Sequence, residues 1–351
     1  MLATKQPVLR RFWYPVMRLD RLDDGKPHPF KLLGENIVLW KRADGQVACV
    51  KDRCCHRTAK LSLGFIQNDN IVCGYHGWEF NCSGSCVRIP QRAEGAPPVP
   101  AAYRVEAYQA KERYGYVWVA LGEPLADIPD MFHATEPGFR QVHQFDELWK
   151  IGAFRLMENS FDPAHVAYVH RNTFGDVTQP QIKVPQVEPI DWGLRTIASA
   201  DDTGRAVKVR GEVAQRATGS GEGETRRIDG GSAWFMPFIR YGVIRYPNGL
   251  VHVLVTCATP IADGETQVIQ WVYRNDTEED VSTEDVIAHD RAITLEDKAI
   301  LESCEPDVPL AINGDEEMLM ASDRVPLAMR RMLLKLFTEH GEVDQRAMDA
   351  A

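Results

Sequence analysis

The stretch CCHRTAKLSLGFIQNDNIVCGYHGW, from Cys54 to Trp78, concentrates three cysteines and two histidines. Cys54-x-His56 and Cys73-x-x-His76 together read C-x-H-x16-C-x-x-H. A tetrahedral Cys2His2 zinc site could use these four donors. So could a [2Fe–2S] centre with two cysteines on one iron and two histidines on the other, whose imidazole ligands raise its potential to roughly −150 to +300 mV. Each half supplies one sulfur and one nitrogen, and the glycines of CGYHGW let the backbone turn tightly around an inorganic core; both features favour the iron–sulfur centre. Cys55 is the x of C-x-H. Adjacent side chains in an extended loop point apart, so Cys54 is assigned as the ligand and Cys55 as a loop-packing residue. Cys82 and Cys86 resemble a C-x3-C metal pair, but no second half follows, and they read as part of a turn.

A second constellation lies in ENSFDPAHVAYVH, which carries Asn159, Asp162, His165 and His170. Asn159, Asp162 and His165 step three by three and are neighbours on a helix. His165 and His170 would lie about 140° apart on an ideal helix. Their convergence on one ion requires the helix to end or distort before His170. The late helix STEDVIAHDRAITLEDKAILESC offers a third ligand. At ~100° per residue, Val286, Ile293, Ile300 and Cys304 form one apolar stripe, with Asp297 near its centre and Asp290 toward its edge. An unpaired carboxylate buried there is costly; a bound cation or a salt bridge would offset that cost. Asp297 and Asp290 are rival ligands on this reading, while Glu296 points away and is read as solvated. His165, His170 and one carboxylate would make a 2-His-1-carboxylate triad, which leaves open positions for oxygen on non-heme Fe(II).

These residues must be held by two kinds of structure. ENIVLWKRADGQVACVK (35–51) reads as two strands around an Asp-Gly turn, and YGYVWVAL (114–121) as a β-branched and aromatic strand. The first ~125 residues therefore read as a small all-β domain. After the Pro- and Gly-containing stretch 122–138 the texture changes. RLMENSFDPAHVAYVH (155–170) reads as largely helical. QIKVPQVEPI, GLRTIASA, GSAWFMPFIRYGVIRY, LVHVLVTCATP and QVIQWVYRN read as strands. A long helix starts near Ser282, an N-cap candidate with Asp285 at N3. The second domain is thus α+β, an antiparallel sheet with helices packed on it.

The 351 residues suffice for two domains, and the 44% hydrophobic content is that of a globular protein. A net charge of −10 argues against nucleic acid and against an anionic membrane surface. No apolar run approaches the ~20 residues of a membrane span, and the first residues lack the apolar core of a signal peptide. The expected location is the cytoplasm. There, eight sparse cysteines point to metal chemistry rather than disulfides.

The motifs C-x-H…C-x-x-H-G-W, GSCVRIP, ERYGYVWVALGEP, N-x-x-D-x-x-H-x4-H and the late E-D-x-x-I-L-E span nearly the whole chain. In them the chain resembles the terminal oxygenase components of the Rieske non-heme iron oxygenases. Its length and local wording are similar to the homotrimeric branch, which includes vanillate and dicamba O-demethylases, caffeine N-demethylases and hydroxylases of saxitoxin biosynthesis. DRCCHRTAKLSLG and ASDRVPLAMRRML are particularly similar to the last group. The family's usual proline between Cys and His is Cys55 here.

The resemblance implies an N-terminal all-β Rieske [2Fe–2S] domain with an N-terminal extension over residues 1–130, then a catalytic domain over residues 131–351 with a helix-grip-like antiparallel sheet and flanking helices. It implies that Cys54, His56, Cys73 and His76 hold the cluster and that His165, His170 and Asp297 hold a mononuclear Fe(II), which favours Asp297 over Asp290. It further implies that Asp162 bridges a cluster-ligand histidine, His76, of one subunit to His165 of the next, and that Asn159 lies close to the iron. The implied reaction is O2-dependent hydroxylation of a C–H bond in a small organic substrate, or oxidative demethylation. The alternatives are a cis-dihydroxylating ring dioxygenase and an electron-transfer protein with no oxygenase activity.

Neither a dinucleotide fingerprint nor a second cysteine set occurs. Electrons, ultimately from NAD(P)H, are expected through a separate flavin reductase, a ferredoxin, or both. Arg53, Arg57, Lys60, Arg88, Arg92, Lys111 and Arg113 form a basic region around the cluster motif. This is either ordinary solvated surface or a dock for an acidic electron donor. In AWFMPFIRYGVIRY, read as one strand, Trp234, Met236, Phe238 and Arg240 share a face, and Tyr241 and Arg245 share the other. Arg240 could hold a substrate carboxylate or be a sheet-edge charge.

Overall fold

The computed structural model describes residues 1–197, 205–228, 231–311 and 316–346. Arg10–Ile128 forms one compact unit, and Met1–Leu9 with Pro129–Ala351 forms another. The first nine residues pack with the second unit. Thr4 donates its backbone N–H and hydroxyl to the Asp263 carboxylate (2.8 and 2.7 Å), and the Val8 N–H donates to Glu342 (2.7 Å).

The Arg10–Ile128 unit contains strands β1 (Tyr14–Arg18), β2 (His28–Leu32), β3 (Glu35–Lys41), β4 (Val47–Lys51), β5 (Phe65–Gln67), β6 (Asn70–Val72), β7 (Glu79–Phe80), β8 (Cys86–Arg88), β9 (Ala107–Arg113) and β10 (Tyr116–Ala120). They form a six-stranded sheet, β1-β10-β9-β4-β3-β2, and a four-stranded sheet, β5-β6-β7-β8. The expected hairpin is β3–β4, paired Lys41 to Val47, with Gly45 at φ +84° in its turn. All five residues of β10 are buried, which suits its unbroken apolar run. Cys54 and Cys73 belong to the core cluster that holds Val38, Trp40, Val50, Ile71 and Phe80. Each large side chain fully buried there contributes about 1.5–3 kcal/mol. The ligand-bearing loops are thus anchored by packing at their cysteines.

The second unit contains β11 (Arg140–Trp149), β12 (Gln186–Ile190), β13 (Gly193–Ile197), β14 (Arg205–Lys208), β15 (Thr225–Ile228), β16 (Ser232–Phe235), β17 (Ile239–Arg245), β18 (Val251–Ala262) and β19 (Glu265–Arg274). Among the described residues, seven of these form an antiparallel sheet in the order β11-β19-β18-β17-β16-β13-β12, and β14 pairs with β15. Its helices are α1 (Ala153–Phe161), α2 (Val166–Val169), α3 (Glu212–Thr218), α4 (Thr283–Leu301) and α5 (Arg324–Glu339). The expected strand at 193–200 lies partly outside the described residues; its described part is β13. The run 232–245 is two strands rather than one, because Pro237 has no N–H to continue a ladder. Trp234 and Arg240 consequently face each other across the β16–β17 pair, and Met236 and Phe238 lie in the connection.

Helix α4 begins as expected, with the Ser282 hydroxyl accepting from the Asp285 N–H (3.1 Å). Val286 packs with Val142 of β11 and Val272 of β19. The C-terminal half of its apolar stripe is not buried: Ile300 is 48% exposed and Cys304 is exposed. Helix α5 buries Val325, Met329, Leu333, Leu336 and Phe337 at helical spacing. The Arg330 guanidinium, on the same helix, makes a two-point ion pair with Glu158 of α1 (2.6 and 3.0 Å).

Candidate metal centres

The cluster motif folds as two loops with the same hydrogen-bond pattern. The Cys54 N–H donates to Ala59 O (2.8 Å), and the Thr58 N–H returns to Cys54 O (3.0 Å). The Cys73 N–H donates to Trp78 O (2.8 Å), and the Gly77 N–H returns to Cys73 O (2.9 Å). Both returning residues are left-handed, Thr58 at φ +61° and Gly77 at φ +71°. Glycine adopts that conformation freely, whereas threonine does so at a cost. Gly64 is also required, since a Cβ there would lie 1.8 Å from Val72 O.

Each loop presents one buried cysteine and one histidine, and the His56 and His76 ring centroids are 4.6 Å apart. Trp78 stacks on His56 with centroids 4.5 Å apart and holds that ring. Burial, with Cys73 beside it, pushes the Cys54 thiol up to about 12. Two adjacent buried sulfurs with no disulfide and two neighbouring imidazoles suit a cationic inorganic core, which would let both sulfurs ionise. Cys55 is exposed rather than packed. Cys82 is exposed and Cys86 buried. The turn between them is held by Asn81 Oδ1, which accepts from Ser83 and Ser85 N–H groups.

The second constellation resolves the 140° problem by breaking the helix. Helix α1 ends at Phe161, before the Asp162-Pro163 step, and α2 is a single turn flanked by His165 and His170. One His165, one His170 and one Asp297 donor atom all lie within 4.8 Å of one another. His165 Nε2 is 3.5 Å and His170 Nε2 3.4 Å from Asp297 Oδ1. Asn159 Nδ2 donates to the same oxygen (3.1 Å).

The far sides of both rings face carboxylates. His165 Nδ1, buried without a well-formed hydrogen bond, lies 3.4 Å from Asp162 Oδ2, and His170 Nδ1 lies 3.1 Å from Glu296 Oε2. That arrangement fixes the tautomer that leaves Nε2 free for a metal. Burial lowers the pKa of His170 despite the nearby Asp297 and Glu296, favouring the neutral, ligating form. Burial works against ionisation of Asp162, but its bonds from His165 and the Ala164 N–H outweigh it and hold the carboxyl below the usual range. Two histidines and one carboxylate with converging donor atoms fit a non-heme iron.

Glu296 is not solvated, as its helical position suggests, but accepts from Thr173 (2.6 Å) and faces His170. The segment after α2 crosses the side of α4 that an isolated helix would give to water. Asp290 is not part of the triad: it is buried, and its Oδ2 accepts from Gln144. A cavity of about 410 Å³ lies beside the triad and is lined by Asn159, His165, Arg240, Gln270, Asp290 and Asp297 among others. Arg240 is therefore a cavity residue rather than a sheet-edge charge, and its buried Nε has no hydrogen-bond partner among the described residues. Of the basic region, Arg88 pairs with Glu79 and Lys111 with Asp127, and Arg92 and Arg113 donate to backbone carbonyls. Arg53, Arg57 and Lys60 remain exposed.

Residues 12–109 match the Rieske [2Fe-2S] domain, and residues 152–339 match the vanillate O-demethylase oxygenase C-terminal domain. The chain is 31% identical to the methylxanthine N1-demethylase NdmA of Pseudomonas putida over 346 residues, covering 96% of this chain and 92% of that protein. It is 37% identical over 167 residues to the vanillate O-demethylase oxygenase subunit of a Pseudomonas species, covering 46% of this chain and 45% of that protein. The solved structure of NdmA with caffeine superposes with a TM-score of 0.80 at 27% identity, over 95% of this chain and 92% of that one. Dicamba monooxygenase shares the fold, with a TM-score of 0.73 at 23% identity over 93% of this chain and 97% of that one.

Proposed function

The chain belongs to the Rieske terminal oxygenases, and on that premise we propose that it hydroxylates a C–H bond of a small organic substrate, with oxidative loss of the methyl group where that bond lies on an N- or O-methyl. The observation that carries this reading is the convergence of His165, His170 and Asp297 at the wall of a cavity of about 410 Å³. Cys54, His56, Cys73 and His76 would hold the [2Fe–2S] cluster; His165, His170 and Asp297 would hold the mononuclear Fe(II). When bound, these groups supply electron delivery and O2 activation respectively.

The chain's own residues supply order. Asp162 and Glu296 orient the two imidazoles through Nδ1, Asn159 fixes the Asp297 oxygen, and the cavity positions the substrate bond. Electrons come ultimately from NAD(P)H through a separate reductase or ferredoxin, for which exposed Arg53, Arg57 and Lys60 offer a complementary surface. The working form is a cytoplasmic homotrimer, in which Asp162 connects one subunit's iron site to the neighbouring subunit's cluster. No helix among the described residues is long and apolar enough to cross a membrane. A pure electron carrier would need neither the histidine pair nor Asp297.

A screen of methylated and unmethylated small molecules, reading O2 uptake and formaldehyde with a supplied reductase, tests this function. Substrate-dependent O2 uptake supports it; uptake that no substrate stimulates, in protein carrying both metals, argues against it. Two results are expected at the metal sites. Cys54→Ser should abolish the visible absorption of the cluster, while Cys55→Ala, at an exposed position, keeps most of it; visible spectra of folded protein decide. Glu296→Ala should weaken iron binding roughly 10–100-fold, as loss of an outer partner of a ligating histidine does, measured by competition with a chelator.

A further inference from the structure

Asp290 is a buried carboxyl that the metal triad does not use. It is 7% exposed and lines the cavity. Two chains of polar contacts run toward it. In the first, the Thr256 hydroxyl donates to Gln270 Oε1 (3.1 Å), Gln270 Nε2 donates to Gln144 Oε1 (2.6 Å), and Gln144 Nε2 donates to Asp290 Oδ2. In the second, Arg274 Nη1 lies 2.9 Å from His252 Nδ1. Arginine is always a donor, so Nδ1 accepts and the His252 proton sits on Nε2. That nitrogen is 3.4 Å from the same Asp290 Oδ2. Both chains thus bring N–H groups to one oxygen. Arg274 pairs with Asp276 and its charge also reaches Asp290, while burial keeps His252 neutral. Oδ1 has no partner among the described residues. A carboxyl serving only to brace the fold would use both oxygens; this one leaves Oδ1 open at the cavity it lines.

Asp290 and Asp297 stand seven residues apart on α4. They share a face and are about 10.5 Å apart along the axis. Ile293 and Thr294 line the cavity between them. We infer that Asp290 recognises the substrate: its Oδ1 anchors a cationic nitrogen group, a protonated amine or an amidinium, two helical turns from the position where Asp297 and the two histidines meet. This rests on the oxygenase reading of the triad and adds a substrate class to it. Arg240 lines the same cavity, and the carboxylate that acts on its charge is Asp297. Burial pushes the Asp290 carboxyl up to about 7, so a bound cation would be what keeps it ionised.

The test uses Asp290→Asn. Asparagine keeps one oxygen for Gln144 and places an NH2 where Oδ1 was, so the fold's own bond survives. Calorimetry would compare benzamidine, benzamide and benzoate on the metal-loaded wild type and variant, with iron content and cluster absorption read on the same samples. Wild type should bind benzamidine at least tenfold tighter than benzamide or benzoate, and the variant should lose or reverse that preference. Equal binding of benzamidine and benzamide, a preference for benzoate, no benzamidine binding, or discrimination that survives in the variant would each overturn the assignment. Failure of the oxygenase reading would appear separately, as missing iron or a missing cluster spectrum.

Discussion

Asp297→Ala should lower bound iron from about three to about two per chain, leave the cluster absorption intact and abolish substrate-dependent O2 uptake. The expected loss is larger than the roughly 10–100-fold cost of removing an outer partner, because Asp297 Oδ1 is the atom on which both histidines converge. Removing it leaves two imidazoles and no anionic ligand for a divalent ion. Asp290→Asn is the matched control and should leave iron near three, since its carboxyl faces Gln144 and His252 instead. Elemental analysis of the two variants beside wild type separates the outcomes. Iron lost from the Asp290 variant and kept in the Asp297 variant would move the ligand.

Asp162→Asn should retain both metals and the proposed trimer, give a cluster that reduces and reoxidises normally with chemical agents, and show little or no turnover. The side chain accepts from the Ala164 N–H (2.7 Å) and His165 N–H (3.1 Å), and asparagine can preserve one or both bonds. What it loses is the negative charge beside His165 Nδ1. That charge favours a protonated, donating Nδ1, and the proposed connection between subunits depends on it. Single-turnover experiments on pre-reduced protein read the effect directly, as a cluster that stays reduced when substrate and O2 are added. If Asp162 only caps the turn, stability falls by about 1 kcal/mol and reoxidation stays near normal; that result would remove its proposed role between subunits.

The cluster motif is legible in the sequence because its geometry is local: each Cys–His pair lies within one six-residue loop closed by its own backbone. The break between α1 and α2 is foreseeable from Pro163 and from the need for His165 and His170 to converge. The choice between Asp297 and Asp290 is not legible from periodicity. Seven residues return to nearly the same helix face, so only the elements packed opposite tell them apart: α2 brings histidines to one, and Gln144 of β11 reaches the other. Glu296 is missed for the same reason, its solvent-facing direction being covered by residues 170–173. The long apolar stripe of α4 misleads at its C-terminal end, where Ile300 stays 48% exposed. Pro237 is a visible signal that 232–245 cannot be one strand. The packing of residues 1–9 against Asp263 and Glu342 depends on partners hundreds of residues away and has no local signature.

The assignment of two metal centres to one chain is tested most directly by iron and acid-labile sulfide measured together on protein purified without oxygen. About three irons and two sulfides per chain are expected, two of the irons with the sulfides at Cys54, His56, Cys73 and His76, and the third at His165, His170 and Asp297. Two irons with two sulfides, unchanged when Fe(II) is added back, would contradict the second centre; zinc without sulfide would contradict the first.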